Sequence, residues 1–359
     1  MPTEASGSPL LRIDLDALAR NFRALREAAA PAECAAVVKA DAYGLGVAPV
    51  VARLLREGCR RFFVATLAEA RELRALSSEA EIYVFEGAVA GATASLEALR
   101  AVPVLNSLEQ IERWRGRGRA LLHLDSGMTR LGLGERDVAM LAERPMLLDG
   151  IEVELIATHL ACADEPDHPR NAEQLAQFER LRAQLPSAPT SIGNSAGLLG
   201  GPATRGDLVR PGIALYGGNP FGGRPNPMER VVTLTAPILQ IREIDTVSAV
   251  GYGATYAAEP RARLAIVGIG YADGYRRSLG NRGVAAVGGQ RVPVVGRVSM
   301  DLTVLDISAL PSDSVRAGDS AELIGENVGL DEVAELAGTI GYEILTGLGR
   351  RVRREYVGG

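Results

Sequence analysis

Ala35-Ala36-Val37-Val38-Lys39-Ala40-Asp41-Ala42-Tyr43-Gly44, followed by Val47–Glu57, decides the architecture. Its first half is apolar and β-branched and predicts a short buried strand. Beyond the glycine, apolar residues return at helical spacing. The same strand-then-helix unit recurs along the chain. Further strand candidates are Phe62–Ala65, Ile82–Phe85, Pro103–Asn106, Ala120–Asp125, Ile151–His159, Ser191–Ser195 and Leu208–Tyr216, with helical stretches such as Leu67–Leu76 and Ala172–Gln184 between them. About eight repeats within about 220 residues predict an α/β fold of the (β/α)8 TIM-like barrel type. An open doubly wound sheet shares the local alternation and is the alternative on pattern alone.

Past about residue 230 the texture changes. Val231–Ile244, Ala262–Gly268, Val284–Val287, Arg291–Val298, Ser299–Ile307 and Ser320–Gly325 read as short strands punctuated by Gly and Pro. A helix is expected at Asp331–Ala337, with Asp331 capping its start and Gly338 ending it. The expected organisation is a barrel over residues 1–230 and a predominantly β domain over residues 231–359, parted in the Gly/Pro-rich segment Gly217–Pro227.

The 359 residues are too many for one ordinary core. With 47% hydrophobic residues, 23% charged residues and a formal net charge of −5, the chain reads as soluble and carries no basic footprint for nucleic acid. The clusters Arg113–Arg119 and Arg350–Arg354 read as solvated faces. Cys34, Cys59 and Cys162 form no CxxC pair, so no disulfide framework is expected. His123, His159 and His168 are too scattered for a metal site. No secretion signal and no membrane span is read, which gives a cytoplasmic expectation.

In a (β/α)8 barrel the carboxyl ends of the strands share one pocket. Those ends carry Lys39, His159, Ser195 and Arg210, with Arg130 shortly after Asp125. Such a rim suits a phosphorylated or anionic small molecule. A lysine closing an apolar strand is partly desolvated, which favours its neutral amine, although a strand-end lysine also snorkels to solvent. The residues themselves give an anion-binding barrel with a candidate reactive lysine and name no cofactor.

Val38-Lys39-Ala40-Asp41-Ala42-Tyr43-Gly44 resembles the cofactor-lysine signature of alanine racemases. Asp125–Gly132, Thr158-His159, Gly193–Ala196 and Val209–Gly217 follow in the family's order, as do Gly251–Tyr256, Gly270–Tyr275 and Gly296–Asp301. The resemblance spans nearly the whole chain. It implies a pyridoxal 5'-phosphate enzyme that interconverts L- and D-alanine through an external aldimine, with Lys39 and Tyr256 as bases on opposite faces of the substrate. Tyr43, Ser195, Gly212, Ile213 and Tyr342 would hold the phosphate, and Arg210 would face the pyridine nitrogen with His159 orienting it. Arg130 would contact both the cofactor and the substrate carboxylate. Met300, Asp301 and Tyr275 would lie on the substrate side, and Tyr252 in the access corridor. A tyrosine acting as base at neutral pH needs its pKa lowered. The resemblance further implies a homodimer with composite sites, and D-alanine destined for peptidoglycan.

Three positions depart from the commonest family pattern. These are Leu45, Ser299, and His123, which stands where many members have a carbamylated lysine that fixes Arg130. Another anion or a direct contact would then have to orient Arg130. The rivals are a broader-specificity racemase, a barrel-type amino-acid decarboxylase, and a non-catalytic cofactor-carrying barrel. Arg210 argues against the second, and the β domain with its Tyr256 motif against the third.

Overall fold

The computed structural model describes residues 7–359. The chain forms two compact units, each drawn from separated segments. One comprises Leu18–Leu215 and Asn219–Met228; the other comprises Tyr216–Gly218, Glu229–Gly359 and the described residues before Leu18.

The first unit is the barrel. Strands Ala36–Val37, Arg61–Val64, Glu81–Val84, Ala101–Leu105, Gly118–His123, Ile151–Ala157 and Thr190–Ser191 lie side by side in chain order, all parallel. Leu208–Val209 joins the two ends. It pairs in parallel with Glu33–Cys34, while Val37 N–H donates to Pro211 O at 3.0 Å and Arg210 N–H to Gly193 O at 2.7 Å. Closure leaves no free strand edge.

The connecting helices follow from their sequences. Val47–Arg56 buries Val47, Val50, Val51 and Leu54, one apolar stripe at helical spacing. Leu67–Leu76 starts at a capping box formed by Thr66 and Glu69. Pro169–Arg182 begins with the proline that suits a first helical turn.

Each expected barrel strand is present, but several are shorter than their apolar runs. Ser191–Ser195 and Leu208–Tyr216 shrink to two paired residues each, because Gly193, Pro211 and Gly212 break the ladder. Inside the barrel, Tyr83 stacks on Phe63 (centroids 4.5 Å apart) and Phe63 on Phe85 (5.3 Å). The Tyr83 hydroxyl ends this column by donating to Glu154 at 2.5 Å, and Arg119 bonds Glu154 (2.9 Å) and Glu81 (3.1 Å). A cavity of about 310 Å³ at these strand beginnings is lined by Glu33, Arg61, Glu154 and Asp207 among others. Arg61 pairs there with Glu33 (3.4 Å) and Glu154 (3.7 Å), while Asp207 accepts from the Thr190 backbone N–H and hydroxyl; the end of a barrel opposite the chemistry serves stability.

The second unit is built on strands in the order Gln290–Pro293, Val284–Val287, Ser320–Ile324, Val232–Glu243, Leu10–Asp14 and Arg353–Val357. Arg263–Val267 also pairs with Val232–Glu243, and Thr303–Asp306 with Arg263–Val267. Thus the first described strand, Leu10–Asp14, runs antiparallel to Val232–Glu243 and parallel to the last strand. The helix expected near 331 spans Leu330–Ala337 and ends at left-handed Gly338. Its N-cap is Gly329 rather than Asp331, which lies in the first turn, where a carboxylate favours the helix dipole. Among the described residues no helix is long and apolar enough to cross a membrane.

Candidate active site

Lys39 follows strand Ala36–Val37 and opens a turn of unusual hand. Ala40, Asp41, Ala42 and Tyr43 have φ of 53°, 54°, 51° and 58°, and none of the four is glycine. Left-handed helix costs L-residues about 1–2 kcal/mol each, so the surroundings must hold it. They do so through backbone donors. Ala40 N–H donates to Glu69 Oε1 at 2.8 Å, Ala42 N–H to Val38 O at 3.0 Å and Val47 N–H to Asp41 Oδ1 at 2.6 Å. Glu69 Oε2 accepts Ala65 N–H at 2.7 Å, so this one carboxylate joins the turn to the end of the neighbouring strand.

The Lys39 side chain meets the top of the aromatic column, its Nζ 5.5 Å from the Phe85 ring centroid. Burial lowers the ammonium pKa, Arg130 lowers it further, and Glu69 opposes them. Of the 39 lysine and arginine residues in the chain, Lys39 is the only lysine.

Arg210 is buried in the barrel. It donates to Ser191 Oγ, to Thr158 O at 2.8 Å and to Ile192 O at 3.4 Å, and none of these bonds uses Nε. Burial lowers its pKa to about 10, which leaves it charged at neutral pH. The resemblance implies His159 as its orienting partner; among the described residues the bonds that hold the Arg210 guanidinium come from the hydroxyl and two carbonyls. His159 is held neutral, its pKa lowered to about 3 by burial, then Arg210, Arg130, His123 and Lys39.

His123 is neutral too, lowered to about 4 by burial and by Arg210. Its Nδ1 lies 2.8 Å from Asn106 Oδ1. The Asn106 amide nitrogen donates to Phe85 O (2.9 Å) and Val104 O (2.8 Å), so its oxygen is the acceptor and His123 Nδ1 carries the proton. His123 therefore serves Asn106 and not Arg130. Arg130 is exposed at the end of a loop shaped by Asp125 Oδ1, which accepts Gly127, Met128 and Thr129 N–H at 2.9–3.0 Å.

A third feature completes the rim. Ser195 Oγ accepts Gly212 N–H at 2.9 Å and Ala214 N–H at 3.3 Å, with Ile213 buried between them. The buried Tyr43 hydroxyl reaches Gly212 so closely that a Cβ there would overlap it. The left-handed turn thus puts a phenol against Gly212, beside the backbone N–H groups that Ser195 Oγ gathers.

The remaining expected residues lie in the other unit. Tyr256 Oη donates to Asp306 Oδ2 at 3.0 Å. Its pKa is raised by burial, then by the Asp306 hydrogen bond and charge, opposite to the lowering that a base at neutral pH calls for. Tyr275 is 3% exposed and its hydroxyl has no hydrogen-bond partner among the described residues. Met300 is exposed; Asp301 pairs with Arg351 at 2.8 Å, and Arg351 also with Asp273 at 2.8 Å. Tyr342 lies in helix Gly341–Thr346.

Residues 13–220 match the family model described as alanine racemase, N-terminal domain, and residues 231–356 the one described as alanine racemase, C-terminal domain. The chain belongs to the alanine racemase family. It is 48% identical over 355 residues to a catabolic alanine racemase of Agrobacterium fabrum, covering 97% of this chain and 92% of that one. It is 47% identical to an alanine racemase of Rhodospirillum rubrum, covering 100% of this chain and 98% of that one. The crystal structure of alanine racemase from Bartonella henselae with covalently bound pyridoxal phosphate is similar at TM-score 0.93 and 38% identity, over 98% of this chain and 99% of that chain.

Within this alanine racemase fold, three residues of the site escaped the sequence reading. Glu69 clamps the turn after Lys39, and Asn106 fixes the His123 tautomer. Gln174, fully buried on helix Pro169–Arg182, donates to His159 O at 3.1 Å and accepts Ala161 N–H at 2.8 Å. Only Glu69 had a local signal, its place three residues after Thr66.

Proposed function

We propose that this chain is an alanine racemase that binds pyridoxal 5'-phosphate through Lys39 and uses Lys39 and Tyr256 as its two bases. The observation that carries the reading is Lys39 itself. A chain that otherwise uses arginine for every basic residue keeps one lysine, at the carboxyl end of a barrel strand, where burial favours a neutral amine. Only an amine can form a Schiff base, and guanidinium cannot replace it.

The residues present fit the cofactor. By the family resemblance Tyr43, Ser195, the backbone N–H groups of Gly212 and Ile213, and Tyr342 would hold its phosphate. The close approach of the Tyr43 hydroxyl to Gly212, which a Cβ there would overlap, supports this cradle. Arg210 keeps Nε outside its three protein bonds, so Nε–H can meet the ring nitrogen; Arg130 and His159 would flank the ring. Bound pyridoxal phosphate supplies an electron sink that makes the Cα–H of an amino acid removable.

This chain's groups do the rest. Lys39 Nζ takes a proton from Cα on one face, or returns one, because burial lets the amine exist uncharged. Tyr256 Oη serves the other face. Arg210 stays protonated and so denies the ring nitrogen a proton, which limits charge withdrawal and keeps the reaction at racemisation. Arg130 and the Met300 backbone N–H would bind the substrate carboxylate, with Asp301 and Tyr275 beside them.

We further infer a homodimer in which Tyr256, Tyr275, Met300 and Asp301 serve the partner's barrel. In this division of labour residues 1–230 carry the cofactor and residues 231–359 the second base. The D-alanine would be made in the cytoplasm for peptidoglycan. A chiral product assay across alanine, serine, lysine and arginine tests the reading: alanine turns over fastest, while preferred turnover of lysine or arginine, or decarboxylation of any of the four, contradicts it.

A further inference from the structure

The carboxylate that bonds Tyr256 is itself built into place. Asp306 ends strand Thr303–Asp306, opposite Leu264. Its Oδ1 accepts two bonds from Ser308, the backbone N–H at 2.9 Å and the hydroxyl at 2.5 Å. That leaves Oδ2 for the Tyr256 hydroxyl at 3.0 Å. The Tyr256 ring packs against Ile244, Val250, Ala258, Ala262, Leu264 and Val295, and its carbonyl accepts Val250 N–H at 2.9 Å. Ring, backbone and hydroxyl are therefore each fixed from within the same unit. A surface tyrosine with no task would need only the packing.

We propose that Asp306, locked by Ser308, is the positioning residue for the Tyr256 hydroxyl and keeps that hydroxyl proton-bearing in the resting enzyme. The proposal rests on the two-base reading above. An ionised carboxylate accepts only, so the phenol must be the donor, and the proton lies between the two oxygens. A free lone pair on Oη is left to point away from Asp306.

Tyr256 then enters the reaction as an acid. Its O–H turns from Asp306 toward Cα and breaks as the Cα–H bond forms, and the electron pair stays on Oη, facing a carboxylate of like charge. The resulting phenolate is a stronger base than one without that neighbour, so it takes a Cα proton back readily when the reaction runs the other way. The charged groups acting on the hydroxyl within this chain are Asp306 and, more weakly, Glu259, both negative and both holding the proton in place.

The test uses cofactor-loaded full-length enzyme carrying 13Cζ-tyrosine, with the Tyr256 resonance identified by its loss in Tyr256→Phe. Its titration is followed by NMR in the wild type, Asp306→Asn and Ser308→Ala. The proposal expects the Tyr256 midpoint to fall in Asp306→Asn, and the alkaline limb of the racemisation–pH profile to move to lower pH with KM for alanine unchanged. Ser308→Ala retains the carboxylate but frees Oδ1, and should shift the midpoint the same way by less. A Tyr256 midpoint unmoved in both variants overturns the proposal. Failure of the two-base reading looks different, as full racemase activity in Tyr256→Phe.

Discussion

The hydroxyl of Tyr43 occupies the space where a side chain on residue 212 would begin. The two residues meet because four consecutive left-handed residues swing Tyr43 back over the loop after Leu208–Val209, and because residue 212 has no Cβ. Gly212→Ala should therefore displace the phenol rather than merely crowd it. Overpacking of this kind costs about 1–3 kcal/mol. The expected outcome is a cofactor affinity reduced about tenfold or more, read as loss of the cofactor's visible absorbance on dialysis.

Glu69 carries the other half of that turn. Glu69→Ala leaves Ala40 N–H and Ala65 N–H without their acceptor and removes the Glu69 half of the capping box, the Thr66 N-cap itself remaining. A loss of about 1–3 kcal/mol in stability is expected from the backbone N–H groups left without an acceptor. The turn should loosen with it, so kcat should fall further than thermal stability suggests; parallel unfolding and turnover measurements on the variant check this.

The two half-buried histidines predict a pH dependence of stability. Unfolded, each titrates near 6.5; folded, His123 titrates at about 4 and His159 at about 3. Between those values the unfolded chain binds more protons than the native one. Their contribution is thus complete above 6.5 and is lost as pH falls through the folded values. Urea midpoints should decline from about pH 7 to about pH 4, by on the order of 1 kcal/mol per histidine per pH unit. Replacing both by Gln should flatten that slope.

Lys39, Arg130 and Arg210 give the rim a cationic character that an anion relieves. Adding pyridoxal phosphate to cofactor-free protein should raise Tm. A concentration about 100 times Kd would add about 2.7 kcal/mol. Inorganic phosphate should give a smaller rise, because it engages the Ser195–Gly212 cradle without bonding to Lys39. Calorimetry at graded ligand concentrations measures both.

The barrel was legible from sequence because each strand is a short apolar run and each helix repeats an apolar face, both local signals. Leu10–Asp14 and Arg353–Val357 were not, since five-residue segments reveal neither their partners nor that they pair with each other across the length of the chain. Lys39, Arg210 and Ser195 could be found as strand-end residues. What surrounds them could not: the left-handed turn runs through two alanines, an aspartate and a tyrosine, which no propensity marks as left-handed. The partners of Arg210 are a hydroxyl and two carbonyls, which are chemically ordinary and become informative only when folded together. The absence of any second lysine was in plain view and needed no structure.

That single lysine makes the decisive measurement clean. Borohydride treatment of the cofactor-loaded protein, followed by proteolysis and mass spectrometry, should place one phosphopyridoxyl group on the peptide containing Lys39, with loss of activity in proportion to labelling. A protein that racemises alanine while Lys39 stays unmodified, or whose label sits on the terminal amine, would contradict the account.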